Sequence, residues 1–316
     1  KMTRMPTEVI SEIGDMRTEW LELTRKNNFE AGLRGLLSEL YPDEAHFVYE
    51  LLQNAEDAEA TQVIFELSKT DLRFSHNGKR MFTEKDVDSI TGIGESTKKD
   101  DVNKVGKFGI GFKAVFAYSD TPQIYSGDYE FQIEHLFCPS SIPSIRKKDG
   151  ETLFIFPFNN RSKPAEQCYQ EVKSVFERMD HTAVLFLNNI QSIEWKIEGQ
   201  SPGFVMRDDL TALDGALCQI SIAHPNSAQL EEDIWFLKFQ GPLEGHGNLR
   251  CGIALQLGFK KNDQRDLKKG SPIDKQMKIV QADGRLCIFF PAEKETTGLK
   301  FYINGPFASA IDRASV

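Results

Sequence analysis

The run Glu50-Leu-Leu-Gln-Asn54-Ala-Glu-Asp57-Ala58 places three polar side chains on one face of a helix. Positions 50, 54 and 57 stand at i, i+4 and i+7, so a carboxylate, an amide and a second carboxylate point the same way. A solvated polar face has the same spacing. Further along come Phe74-Ser-His76-Asn77-Gly78-Lys-Arg-Met81, then Gly92-Ile-Gly94-Glu-Ser96-Thr97-Lys98, then Gly106-Lys107-Phe108-Gly109-Ile110-Gly111-Phe112-Lys113. Glycines directly before a helix let backbone N–H groups approach an anion, and the helix N-terminus favours negative charge. One such loop alone reads equally as a tight turn. Four segments in this order read as a phosphate cradle beside a carboxylate-bearing helix.

The elements that must position these residues follow from periodicity. Helical spacing spans residues 7–27, 29–40 and Asp43–Ala60, the last with the stripe Ala45, Val48, Leu51, Leu52, Ala55 and Ala58. The period then shortens. Gln62–Leu67 and Leu72–His76 read as strands, and Asn77-Gly78 as a turn. Thr83 opens a helix, and Phe112–Tyr118 reads as another. Strands are expected at 121–126, 129–136 and Thr152–Phe158, a loop at 139–150, and a helix over Pro164–Met179. Beyond residue 181 the chain is mostly strands: Val184–Leu187, Ile190–Ile197, Leu217–Ala223, Trp235–Phe239, Cys251–Leu257, Arg285–Phe290 and Leu299–Ile303. The fold class is α+β.

On these segments the chain resembles the GHKL ATPase superfamily of gyrase B, heat-shock protein 90, histidine kinases and MutL. Within it, the phrases around HNGK, IGESTK and GKFGIGFKAVF look like the sacsin-like and NO VEIN-like ATP-binding domains and their bacterial relatives. The resemblance implies a Bergerat-type ATP-binding α/β sandwich followed by a strand-rich α/β transducer domain. It implies an N-terminal helical segment at 1–42, an ATP-binding domain at 43–185 and a transducer-like domain at 186–316. Glu50 would be the general base, and Asn54 the Mg²⁺ ligand. Asp57 would hold the adenine-side water network or orient a neighbour, and Thr152 would reach the adenine-bound water. Gly106, Lys107, Phe108, Gly109, Ile110, Gly111 and Phe112 would line the phosphates. Ser96, Thr97 and Lys98 would lie in the ATP lid. His76, Asn77, Gly78 and Met81 stand where the family carries its Asp-x-Gly-x-Gly box. Here His76 replaces the adenine-reading aspartate and Arg80 replaces the second glycine. A neutral histidine accepts one hydrogen bond, and the Asn77 amide oxygen is an alternative reader. His76 as a purely structural strand-end residue stays open.

Near the C-terminal end, Arg313 resembles the cation that reaches the γ-phosphate in members with a transducer domain; a surface arginine is the plain alternative. The chain starts at Lys1 and stops three residues after Arg313, which reads as a piece of a longer protein. The implied activity is Mg²⁺-dependent ATP hydrolysis driving a clamp or dimerisation switch, in a chaperone-like or anti-phage defence role. The alternative is a nucleotide sensor that does not hydrolyse and regulates an attached effector or partner. A homodimer through the N-terminal segment is expected. A histidine kinase fits poorly, because residues 1–42 contain no histidine.

Composition bounds the rest. The net charge is −9, so the surface as a whole does not attract nucleic acid. Residues 259–278 carry seven Lys/Arg against three Asp and read as a solvated loop, or as a contact for nucleic acid or an acidic partner. No apolar run approaches the ~20 residues of a membrane span. Five cysteines without CxxC spacing argue against structural zinc and a disulfide framework, and read as buried thiols in the cytoplasm.

Overall fold

A computed structural model describes residues 4–24, 28–40, 45–92, 111–210, 216–225, 232–243, 250–288 and 290–306. The chain divides into two units, Lys1–Arg178 with Asn188–Pro202, and Met179–Leu187 with Gly203–Val316. The described helices are α1 (Pro6–Thr24), α2 (Phe29–Leu40), α3 (Phe47–Asp57), α4 (Glu84–Thr91), α5 (Ala165–Arg178), α6 (Thr182–Leu185) and α7 (Ile273–Gln276), with a 3₁₀ helix at Gly111–Ala117.

In the first unit, β1 (Gln62–Leu67), β2 (Asp71–His76), β3 (Gln123–Ser126), β4 (Tyr129–Glu134), β5 (Cys138–Ser141), β6 (Thr152–Pro157) and β7 (Ser192–Ile197) pair in the order β7-β1-β2-β6-β3-β4-β5. The β1–β7 pair is parallel and the others are antiparallel. Alternation along β1, β2 and β6 sends Phe65, Phe74 and Phe154 to one face in register. Helices cover that face. Phe47 of α3 meets Phe156 at 5.9 Å, and Phe176 of α5 meets Phe65 at 5.2 Å and stacks on Trp195 at 6.2 Å. Each buried ring contributes about 1.5–3 kcal/mol. The result is the helix-over-sheet sandwich expected from the sequence.

Helix α1 is seated on its own unit. Val9, Ile10 and Ile13 are buried, and a Cβ at Gly14 would stand 2.5 Å from the Pro139 carbonyl oxygen, so only glycine allows this crossing with β5. Arg17 reaches Asp88 of α4 at 2.8 Å.

In the second unit, β8 (Gly203–Leu210), β9 (Ala216–Ala223), β10 (Glu232–Pro242), β11 (Arg250–Phe259) and β15 (Tyr302–Asn304) form an antiparallel ladder. β12 (Met277–Ile279) adds to β11, β13 (Arg285–Ile288) runs parallel to β15, and β14 (Phe290–Thr296) pairs with β13. The basic stretch 259–278 is anchored rather than loose. Gln276 is buried, accepts from Gln264 and the Lys268 N–H at 2.9 and 2.7 Å, and donates to the Lys268 and Ser271 carbonyls.

Several expectations are corrected. Val184–Leu187 is no strand; it overlaps the single-turn helix α6, begun where Asp180 accepts the Thr182 N–H at 2.9 Å. A four-residue apolar run does not distinguish the two. α3 starts at Phe47 rather than Asp43, because Ala45 has φ +54°, and Glu59 at φ +58° follows its end. The 139–150 loop holds β5, hidden by Pro139, and β8 was missed because charged residues interrupt its pattern. Cys251 is exposed at the start of β11, unlike the four other cysteines.

α3 is tied to the sheet by a residue that the sequence reading passed over. Glu56 is 6% exposed, and its carboxylate accepts the N–H groups of Asn188, Asn189 and Ile190 at 2.7, 2.9 and 2.9 Å, just before β7. Removing a buried carboxylate leaves those donors unmet. Glu56→Ala is therefore expected to destabilise the first unit by about 3 kcal/mol, measured by urea unfolding; a change within about 0.5 kcal/mol would contradict this anchor.

Candidate functional site

α3 presents Glu50, Asn54 and Asp57 on one face, as the spacing requires. Glu50 is 5% exposed, whereas Asn54 and Asp57 are partly exposed. The Glu50 carboxylate is pressed against Gly111, the first residue of the 3₁₀ helix. A Cβ placed there would stand 2.0 Å from Oε2, so any side chain at this position would displace the Glu50 carboxylate from where it sits. His46 lies one turn earlier, with Nε2 at 4.0 Å from Glu50 Oε1. Sequence reasoning missed His46, although its i−4 spacing from Glu50 was visible.

The C-terminal end of α3 meets the loop after β2. The Lys79 N–H donates to the Ala58 carbonyl at 2.9 Å. A Cβ at Gly78 would lie 2.8 Å from His76 Nδ1 and 2.9 Å from Ala58 Cβ, so the close approach needs glycine. Arg80 donates to the Asp57 carbonyl, a cation at the negative end of the helix. That contact gives the departure from glycine at this position a structural role.

Across the sheet, His76 pairs with Thr152, and Thr152 pairs with Ser126. The Ser126 and Thr152 hydroxyls are 2.7 Å apart, each contacts Met81 Sδ (3.7 and 3.6 Å), and the Phe82 N–H donates to Ser126 Oγ at 3.0 Å. The structure thus brings His76, Gly78, Met81 and Thr152 together and adds Ser126, which no sequence motif marks. Phe112 is a core residue, its ring packed on Phe154 and Phe156 at 6.0 and 6.3 Å.

Two readings of the HisAsnGly segment change. The Asn77 oxygen already accepts the Thr61 and Gln62 N–H groups, both at 2.9 Å, and its amide donates to Thr61 Oγ1, so it is a turn residue rather than a base reader. His76 is buried, which pushes its pKa down from 6.5 to about 4. Its Nδ1 accepts the Gly78 N–H at 3.1 Å, so the neutral ring keeps its proton on Nε2. The remaining polar group of the ring is therefore a donor, where the sequence led us to expect an acceptor.

Lys113 is a further missed residue. It is 2% exposed, and its ammonium donates to the Ile90 and Leu136 carbonyls at 2.7 and 2.5 Å. Burial, with the charge of Arg17, pushes it down to about 7. It joins the last turn of α4 to the 3₁₀ helix. Ser96, Thr97, Lys98, Gly106, Lys107, Phe108, Gly109, Ile110 and Arg313 lie outside the described residues.

Residues 26–139 match the family model of the Sacsin domain. The chain is 27% identical over 208 residues to Protein NO VEIN of Arabidopsis thaliana, covering 57% of this chain and 8% of that protein. It is 39% identical over 105 residues to Sacsin of Homo sapiens, covering 28% of this chain and 2% of that protein. The chain thus spans a small part of the curated relatives it matches, and the resemblance to sacsin-like and NO VEIN-like proteins is borne out. Among solved structures, the N-terminal domain of a DNA repair protein is similar with TM-score 0.45 and 10% identity, over 85% of each chain. The B-subunit of the DNA gyrase from Myxococcus xanthus is similar with TM-score 0.41 and 10% identity, over 61% of this chain and 67% of that one.

The neutral state of His76 has a pH signature. Its folded value lies below its ordinary one, so its contribution to stability is whole above pH 6.5 and is lost as pH falls towards about 4. Urea midpoints of the wild-type chain are expected to fall across this window, and those of His76→Gln to fall less. Identical pH profiles for the two would contradict the buried neutral ring.

Proposed function

We propose that the first unit binds ATP with Mg²⁺ and hydrolyses it, as a conformational switch within a larger protein. The observation that carries this reading is the buried Glu50 carboxylate seated on Gly111, where the glycine-rich segment enters the 3₁₀ helix. A carboxylate placed beside a phosphate cradle can take the proton of an attacking water. His46 stands one turn earlier with Nε2 4.0 Å from that carboxylate. One turn on, the Asn54 amide oxygen is a hard ligand in a partly exposed position, which suits Mg²⁺; the ion would neutralise phosphate charge there. Met81, Ser126 and Thr152 would line the base, with His76 donating through Nε2. Asp57 would order water on that side. The glycine-rich segment 106–111 would supply backbone N–H groups to the phosphates, and Arg313 a cation for the γ-phosphate. Dimerisation on ATP binding, with a chaperone-like or defence output, would couple this cycle to the regions outside this chain.

A second reading, a nucleotide sensor without hydrolysis, draws support from the donor-only state of His76, which alters how a base is read. Steady-state ATP hydrolysis with Mg²⁺, paired with ATP binding, separates the two for the wild type and Glu50→Gln. Binding in both, with turnover reduced at least ~100-fold in the variant, is the expected result. Equal turnover in both would remove Glu50 as base, and binding with no turnover in the wild type would favour the sensor.

A further inference from the structure

A tyrosine at the far end of the 3₁₀ helix acts on the first turn of α3. Ala45, two residues ahead of α3, is fully buried at φ +54°, a left-handed conformation that costs a non-glycine residue on the order of 1 kcal/mol. Its N–H donates to the Tyr118 hydroxyl at 2.6 Å. That hydroxyl donates in turn to Glu171 Oε2 at 2.5 Å. Glu171 is itself fixed, accepting from Lys163 Nζ at 2.6 Å and from Gln167 at 2.8 Å. Lys163 also lies 4.2 Å over the Tyr118 ring, and the Phe47 ring packs on it at 4.7 Å. Burial alone would raise the Glu171 carboxyl, but the hydrogen bonds from Lys163, Tyr118 and Gln167 outweigh it and hold the group below the usual range. Glu171 is thus an ionised acceptor, and Tyr118 stays a donor to it.

The N-cap residue of α3, His46, makes no side-chain capping bond. Tyr118 supplies a side-chain acceptor one residue earlier. The 3₁₀ helix therefore grips this turn at two points: Gly111 against Glu50, and Tyr118, the residue after its last, against Ala45. A cavity of about 920 Å³ borders the network along His46, Tyr118, Lys163 and Glu171, so packing alone does not lock it.

The geometry points to Tyr118 as a positioning residue for Glu50: fixed by Glu171, its hydroxyl holds Ala45 left-handed and so sets the rotation of the turn that carries His46 and Glu50. This rests on the reading of Glu50 as general base. Tyr118 is not assigned a part in the chemistry; it acts through the backbone of α3.

The test uses Tyr118→Phe and, as a second variant that keeps the tyrosine, Glu171→Gln. Both are expected to lower kcat about tenfold while ATP affinity and KM stay within about twofold, the loss of one buried hydrogen bond. Tyr118→Phe added to Glu50→Gln should cost nothing further. Residue-resolved hydrogen exchange should show the Ala45 amide exchanging about tenfold faster in Tyr118→Phe. Unchanged kcat, or kcat and affinity falling together, would overturn the inference. If the wild type does not hydrolyse ATP, the base reading falls by itself. Exchange at Ala45 then decides, with protection lost in Tyr118→Phe supporting the positioning role and protection kept overturning it.

Discussion

The structure of the first unit turns on a buried carboxylate that takes the space a side chain at position 111 would need. Glu50 occupies the space that a Cβ of Gly111 would need, at 2.0 Å. A buried carboxylate is costly unless partners meet it in a fixed geometry. α3 must therefore be held in both rotation and height. Glu56 fixes its C-terminal half to the turn before β7, and Arg80 meets its last carbonyls. Ala45, held by Tyr118, fixes its start. The aromatic layer of Phe47, Phe65, Phe154, Phe156 and Phe176 beneath it resists sliding.

The same economy explains the departures in the HisAsnGly segment. Each side chain is engaged by local structure: His76 Nδ1 by the Gly78 amide, Asn77 by Thr61 and Gln62 at the start of β1, and Arg80 by α3. The ring keeps only its Nε2–H unengaged by Gly78, and Thr152, its cross-strand neighbour, shares a hydroxyl pair with Ser126. A base bound here would be read by a donor beside hydroxyl oxygens, so the pattern of donors and acceptors differs from that of an aspartate at position 76.

Much of this was legible in the sequence, and the reasons are physical. The face of Glu50, Asn54 and Asp57 follows from helical geometry, and the hairpin of β1 and β2 from alternation and its turn. Gly78 and Gly111 stood out as glycines, and the structure supplies their reason in two close approaches. Glu56 was invisible because its partners are backbone amides 132 to 134 residues away. Ser126 was invisible for the same kind of reason, since only the β3–β6 register brings it to Thr152. Lys113 was in plain view, but nothing in its neighbours announced a buried ammonium held by two carbonyls. Position 45 looked like part of an apolar helix stripe, whereas its left-handed backbone ends the pattern.

We propose that α3 and the ends of β2 and β6 form a nucleotide site completed by Mg²⁺. Calorimetric titration with a non-hydrolysable ATP analogue, with and without Mg²⁺, on the wild-type chain and Asn54→Ala, addresses it most directly. Saturable one-to-one binding is expected, tightened by Mg²⁺ at least about tenfold in the wild type and much less in Asn54→Ala. Absence of binding in the wild type, or binding equally tight without Mg²⁺ and in Asn54→Ala, would contradict it.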